Sequence, residues 1–495
     1  MYLGLDLGTS ELKAVLLDER HAIVGVAHAP LVLEHPRPLW AEQHPQQWWQ
    51  ALEQVMDRLH SEHPQALARL QAVGLAGQMH GAVTLDARGE VIRPAILWND
   101  GRSADECVEL MRRVPPLPAL TGNLAMPGFT APKLLWMQRH EPAQFDRVAH
   151  VLLPKDWLRW KLCGQRVSDM SDASGTLWLD TARRDWCDAL LAATGLSRAH
   201  MPALVEGSQI SATVLPAWCD RWGLPRGVRV AGGAGDNAAS AVGMGVVRAG
   251  QGFVSLGSSG VVFLCTAGFA PRPERAVHAF CHALPRQWHQ MAVMLSAASA
   301  LTWAARVLGY ASEAEALREA AALEPARAQR APLFLPYLNG ERSPHNDPHA
   351  QGVWFGLTAS HTRADLIYAV AEGVAFGLRD GWLTLDRPEA DAPACLSLVG
   401  GGSRSLWWAQ LLADVLGVEL QLHEGGHTGA ALGAARLAWL SVGASVSDVC
   451  QTPPVRQVVR PDSIRSADVM DRHARFVQLC AQVRAQWAAQ APAKT

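Results

Sequence analysis

The chain opens on two apolar, β-favouring runs around a Gly-Thr-Ser turn, YLGLDLGTSELKAVLLD (2–18), a pattern that predicts a hairpin. It returns as GFVSLGSSGVVFLCT (252–266), where LGSS at 256–259 echoes LGTS at 7–10. Leu, Gly and Ser are common enough for coincidence. A separation near half the chain favours two domains of related design, each opening on a hairpin. Further strand-like runs end in small or polar residues at 72–81, 95–102 and 228–237, and LSLVGGGSRS (396–405) runs from a strand into a glycine turn. Helical spacing marks 45–61, 300–309, 363–382 and 406–417. This alternation predicts mixed α/β layers. TPPVRQVVRP (452–461) reads as a linker, 465–489 as a closing amphipathic helix, and APAKT as a frayed end.

Composition narrows the class. At 495 residues the chain exceeds what one core serves, and 49% apolar with 18% charged residues describes a well-buried globular protein. A net charge of −2 without long charged blocks leaves no footprint for nucleic acid or an anionic membrane. Nine scattered cysteines without a C-x-x-C suit free thiols in a reducing cytoplasm. Asp6 and Glu11 stand where a secretory signal would be basic and then apolar. The greasiest run, 429–444, contains Arg436 and is shorter than the about 20 apolar residues of a spanning helix. The expectation is a cytoplasmic protein with no membrane partner.

Several chemistries drop out. The chain has no Walker A loop, no G-x-S-x-G elbow and no H-E-x-x-H. AGGAGDNAAS (231–240) fits a relaxed dinucleotide fingerprint through Gly233, Gly235 and Ala238. Yet no acid lies between Asp236 and Glu274 to take a ribose, and Asp236 would set its charge among amides meant for pyrophosphate. His278, Cys281, His282 and His289 raise a metal site. On a strand, His278 and His282 share a face opposite Cys281, so a packed strand with buried polar tips is preferred.

The motifs, in their order, carry a resemblance. DLGTS (6–10), AEQHPQQWW (41–49), GQMHG (77–81), ILWNDGR (96–102), TGNLAMPGFTAPKLLW (121–136), LLPKDWL (152–158), SDMSDASGTLWLD (168–180), GDNAASAVG (235–243), FLPYLNGERSPH (334–345) and LVGGGSRS (398–405) resemble the FGGY family of carbohydrate kinases. The likeness runs from Met1 to about residue 440 and weakens in the tail. GQMHG most resembles the branch that phosphorylates D-xylulose.

The resemblance implies an α/β fold of two actin-like, ribonuclease-H-like domains facing each other across a catalytic cleft. The expected division is 1–245 for sugar and the first phosphate hairpin, 246–445 for nucleotide, and 446–495 for linker, closing helix and tail. It implies ATP and Mg²⁺, transfer to the 5-hydroxyl of D-xylulose, and a homodimer at family level. Asp236 is the implied general base, and Asp6 the implied Mg²⁺ ligand, directly or through water. As an alternative, Asp236 merely caps a helix beginning at Asn237. Gly8, Thr9 and Ser10 would offer amides and hydroxyls to phosphate, as would Gly257, Ser258 and Ser259. Gly401, Gly402 and Ser403, with Gly400, match the family's nucleotide turn. Met79, His80 and Asn237 match its sugar contacts, while Asn99, Asp100 and Arg102 either shape the sugar site or brace the domain. Lobe closure over the cleft is expected, since water would compete with sugar. Departures are Glu11, where many relatives have glycine and which is expected to turn away from the phosphates, Ser258 for threonine and Ala234 for glycine. Other substrates stay open, namely ribulose, a 6-deoxyketose or a polyol. A non-catalytic actin-like switch is disfavoured by intact Asp6 and Asp236.

Overall fold

Both predicted hairpins form in the computed structural model, which describes residues 1–385, 393, 395–424 and 429–490. The first, Tyr2–Leu7 with Glu11–Leu17, sits in a sheet ordered Ile23–Pro30, Glu11–Leu17, Tyr2–Leu7, Ala72–Gly77, Arg229–Ala231, Ile210–Thr213. The short strand Ala234–Gly235 also pairs with Ala72–Gly77. The second hairpin, Gly252–Leu256 with Gly260–Thr266, sits in a sheet ordered Trp288–Met294, Gly260–Thr266, Gly252–Leu256, Cys395–Val399, Glu419–His423, Val455–Val459. His278–Cys281 adds an outer strand beside Trp288–Met294.

Read across either sheet, neighbours are antiparallel, antiparallel, parallel, parallel and antiparallel. The echo between the hairpins is therefore a repeated topology, that of two actin-like α/β lobes. The helices expected at 45–61, 300–309, 363–382 and 406–417 are Pro45–Glu62, Ala298–Val307, Arg363–Thr384 and Leu406–Leu416.

One reading is corrected. The stretch 452–461 is not a linker: Val455–Val459 pairs with Glu419–His423 as the edge strand of the second sheet. The prolines at 453 and 454 mark only its start, and β-branched valines carry the pairing. Helix Ser463–Gln490 follows, and APAKT lies outside the described residues. No described helix is long and apolar enough to cross a membrane.

The greasy run 429–444 forms helix Gly429–Ser441, which lies on the first sheet rather than the second. Small residues allow this. A Cβ on Gly4 or Gly74 would overlap the backbone oxygens of Ala431 or Ala434, and one on Gly433 would overlap that of Ala239. Buried Arg436 then donates to Val242 O (3.0 Å) and Gly243 O (2.9 Å), satisfying carbonyls at the end of helix Asp236–Gly243. The two lobes thus interlock through backbone-to-backbone contact. Gly433→Ala should lower unfolding free energy by about 1–3 kcal/mol, read as a lower denaturant midpoint. An unchanged midpoint would mean that this junction has slack.

Candidate active site

Strands Tyr2–Leu7, Ala72–Gly77 and Ala234–Gly235 run parallel and adjacent, so their C-terminal ends bring Asp6, Met79, His80 and Asp236 to one edge. Asp236 does not cap a helix beginning at Asn237. It is itself the first residue of helix Asp236–Gly243, with Gly235 at the cap position. Its Oδ1 accepts from Asn237 N (2.7 Å) and Asn237 Nδ2 (3.0 Å). Burial pushes this carboxyl up to about 6, against the Asn237 donors that pull it down. Burial, and next the charge of Asp236, push Asp6 up to about 7, while Lys13 acts in the opposite sense. Asp6 Oδ1 is buried with no hydrogen-bond partner among the described residues.

The first hairpin turn is braced from the sugar side. Gly8 N donates to Glu11 O (3.0 Å), and Thr9 Oγ1 donates to Gln78 Oε1 (3.2 Å) while accepting from Trp98 Nε1 (2.9 Å). Gln43 completes the brace, donating to Thr9 O (2.7 Å) and accepting from Gln78 Nε2 (3.1 Å) and Trp48 Nε1 (3.0 Å). The Gly8 amide and the Thr9 hydroxyl proton expected at phosphate are thus engaged inside the protein, and Ser10 is the exposed member of the three. Gln43, Gln78 and Trp98 lie within the quoted motifs, but nothing in their spacing singled them out.

Glu11 lies on the sheet face that carries Asp6. Asp6 pairs with Lys13 and Lys13 with His28, so alternation sets Glu11 on the face that carries Asp6. Its charge is answered by Lys13 Nζ at 3.1 Å, and His28 Nδ1 lies at 3.3 Å from the other carboxylate oxygen.

On the sugar side, buried Met79 packs on Gly235, and His80 takes a left-handed backbone (φ 71°) unusual for a side chain with Cβ. Three contacts hold it there. His80 O accepts from Thr130 Oγ1 (3.1 Å) and Lys133 Nζ (2.9 Å), and His80 Nδ1 donates to Gly175 O (2.6 Å). Burial drops the imidazole to about 3, so it is neutral at pH 7. Because a carbonyl only accepts, Nδ1 carries the proton and Nε2 is left as an acceptor. Asp100 and Arg102 are tied to one another and to the segment at 40–42. Asp100 Oδ2 accepts from Ala41 N (2.6 Å) and Arg102 NH2 (2.7 Å), and Arg102 NH1 pairs with Glu42 at 2.6 Å while its guanidinium lies over Trp40. Asn99 is exposed beside them.

In the other lobe, a cavity of about 740 Å³ is lined by Gly257, Ser258, Gly401, Gly402, Arg318 and Trp407, among others. Gly400 (φ 92°) brings the two turns together, since a Cβ there would lie 2.7 Å from Leu256 C and O. Ser259 and Ser403 are not in this lining, and Ser403 Oγ donates back to Gly400 O (2.7 Å).

The FGGY family of carbohydrate kinases matches by its N-terminal domain over residues 1–243 and by its C-terminal domain over 252–442. The chain belongs to the FGGY family of carbohydrate kinases. A xylulose kinase of Escherichia coli (strain K12) is 50% identical over 485 residues, 98% of this chain and 99% of that one. The crystal structure of a xyloylose kinase from Brucella ovis matches with a TM-score of 0.93 at 47% identity, covering 98% of this chain and 99% of that one. That of a xylulose kinase from Rhodospirillum rubrum matches with a TM-score of 0.90 at 31% identity over the same shares.

In this FGGY kinase the glycine-rich stretch before Asp236 rests on a buried charge cluster. Lys155 Nζ donates to Asp156 (2.6 Å) and pairs with Asp169 (2.7 Å) and Asp172 (3.2 Å). Arg159 donates to Asp156 (2.9 Å) and to Gly232 O (2.5 Å). Ser171 Oγ donates to Asp169 and accepts from Gly235 N (3.1 Å). All five charged side chains are fully buried. Burial, with Asp156 and Asp169 as like charges, holds Asp172 well above the carboxylate range although Lys155 opposes it.

The metal reading of the histidines is not supported: no cluster of three or more His, Cys, Asp or Glu suited to a metal exists among the described residues. His278 and Cys281 sit on the outer strand, His282 accepts from Leu284 N (3.2 Å), and His289 stacks on Phe263.

Proposed function

We propose that this FGGY kinase transfers the γ-phosphoryl group of ATP to the 5-hydroxyl of D-xylulose, giving D-xylulose 5-phosphate and ADP. The observation that carries the reading is the pair of interacting, half-buried carboxyls, Asp6 and Asp236, flanking Met79 and His80 on adjacent strand ends. The 50% identity to a xylulose kinase along nearly the whole chain supports the choice of sugar.

Phosphoryl transfer asks mainly for in-line positioning and charge neutralisation. Asp236 accepts the hydroxyl proton as the sugar oxygen bonds to the γ-phosphorus and the β,γ-bridging oxygen leaves with ADP. The amide hydrogens of Asn237 hold that carboxylate in place, and the helix start favours its ionised form. His80 Nε2 is an acceptor for a sugar hydroxyl, and Met79 gives the site an apolar wall. The partnerless oxygen of Asp6 is the hard donor that suits Mg²⁺, an ion usually held by one or two carboxylates plus substrate phosphates. When bound there, Mg²⁺ supplies positive charge to the phosphates. The cavity between the second hairpin and the glycine turn fits the adenosine.

A coupled ADP-release assay over D-xylulose, ribulose, a 6-deoxyketose and glycerol tests the substrate. D-Xylulose should give the highest kcat/KM, because one altered hydroxyl contact separates epimers. A higher value with any other member would overturn that choice while leaving the kinase chemistry standing.

A further inference from the structure

The mechanism leaves one cation of the interlobe region unused. Arg342 belongs to the second lobe, yet its guanidinium lies against Gly128 of the first lobe as well as His278 of its own. A Cβ added to Gly128 would sit 3.9 Å from Arg342 NH2, and Arg342 NH1 approaches His278 Nε2 at 3.4 Å. His278 Nδ1 donates to Asn123 Oδ1 (2.8 Å), so its Nε2 lone pair faces the guanidinium. The rings of His278 and His80 both pack on Phe129, with centroids 5.6 and 4.6 Å away. Arg342 therefore stands beside the residues that frame the sugar side.

Burial works against its charge and the adjacent Glu341 supports it, but no carboxylate lies close enough to pair with the guanidinium among the described residues. Arg102, Arg159 and Arg472 of the interior each hold a carboxylate, whereas Arg342, like Arg436 with its two backbone carbonyls, makes no ion pair among the described residues. The adjacent Glu341 spends Oε1 on Leu295 N (3.0 Å) and Arg342 N (2.7 Å). Burial pushes the Glu341 carboxyl up to about 8, leaving it mostly neutral at pH 7. The Arg342 side chain has only the long contact to His278 Nε2 as a hydrogen bond among the described residues.

Its position along the site is also informative. Its charge acts on His80 and His278. Gly128, which it lies against, shares Lys133 Nζ with His80 through their carbonyls, and this places Arg342 on the His80 side. Resting on the D-xylulose reading above, we infer that Arg342 is a specificity-determining residue lent by the second lobe, whose guanidinium donates to the carbonyl end of the ketose while Asp236 works at the other end. A ketone oxygen offers two in-plane lone pairs to a rigid fork of N–H donors, a match that a tetrahedral alcohol carbon does not provide. The same contact ties sugar binding to the approach of the two lobes.

The test compares D-xylulose with xylitol, which has the same skeleton with a hydroxyl in place of the carbonyl. Arg342→Gln should raise the KM for D-xylulose about 10–100-fold, the range for losing charge-assisted hydrogen bonds. The fall in kcat should be smaller, and xylitol affinity, read by calorimetry, should change less than about threefold, so the preference for ketose over polyol collapses. Arg342→Lys keeps the charge without the fork and should lose the same preference in part, which keeps the test open if the glutamine variant folds poorly. A D-xylulose KM within about twofold of the parent, or equal weakening of both ligands, would overturn the assignment, the latter marking a merely structural interlobe contact. Absence of D-xylulose turnover in the parent enzyme would instead sink the substrate reading, and this inference with it.

Discussion

Asp236→Asn is expected to lower kcat with D-xylulose by about 10²–10⁴-fold, the usual contribution of a positioned general base. The amide is nearly isosteric and can still accept from Asn237, so folding and the KM for ATP should change little. The pH profile separates loss of a base from loss of shape. Burial sets Asp236 near 6, and it accepts a proton only when ionised. The kcat/KM of the parent should therefore be flat above this value and fall as pH drops through it. In Asp236→Asn that acid limb should be lost. Near-parental turnover in Asp236→Asn would remove the base assignment.

The second large effect is on stability. Lys155→Met leaves Asp156, Asp169 and Asp172 buried with Arg159 as their remaining cation. Breaking a buried ion pair by removing one partner costs about 3–5 kcal/mol, because the residual charge must be neutralised or reached by water. The unfolding midpoint should fall accordingly, or the unfolding rate rise if refolding fails. Adding Asp172→Asn should recover part of the loss, since burial and its neighbours hold the Asp172 carboxyl well above the carboxylate range. Activity should fall too, because Arg159 and Ser171 hold Gly232 O and Gly235 N just before Asp236. An unchanged midpoint in Lys155→Met would contradict this account of the cluster.

These residues mark what the sequence could and could not convey. The hairpins, the main helices and the repeat were legible because each is set by local alternation or helical spacing. Edge strand Val455–Val459 was not, because it pairs only with a distant segment and follows two prolines. The face of Glu11 depends on the hairpin register, which turn length fixes and alternation alone does not. Lys155 and Asp156 read locally as surface charges in LLPKDWL, and only the fold surrounds them with Asp169, Asp172 and Arg159. Likewise, the brace of Gln43, Gln78 and Trp98 around Thr9 joins four segments that no spacing links. Gly400 and Asp236 could be singled out because glycine and acid have special backbone and charge behaviour.

The most direct measurement is product analysis of the purified chain with D-xylulose, ATP and Mg²⁺, by phosphorus and carbon magnetic resonance alongside ADP release. The account predicts one ADP per sugar consumed and a single phosphomonoester on carbon 5. Phosphate on another carbon, or ATP consumption without a phosphorylated sugar, would contradict it.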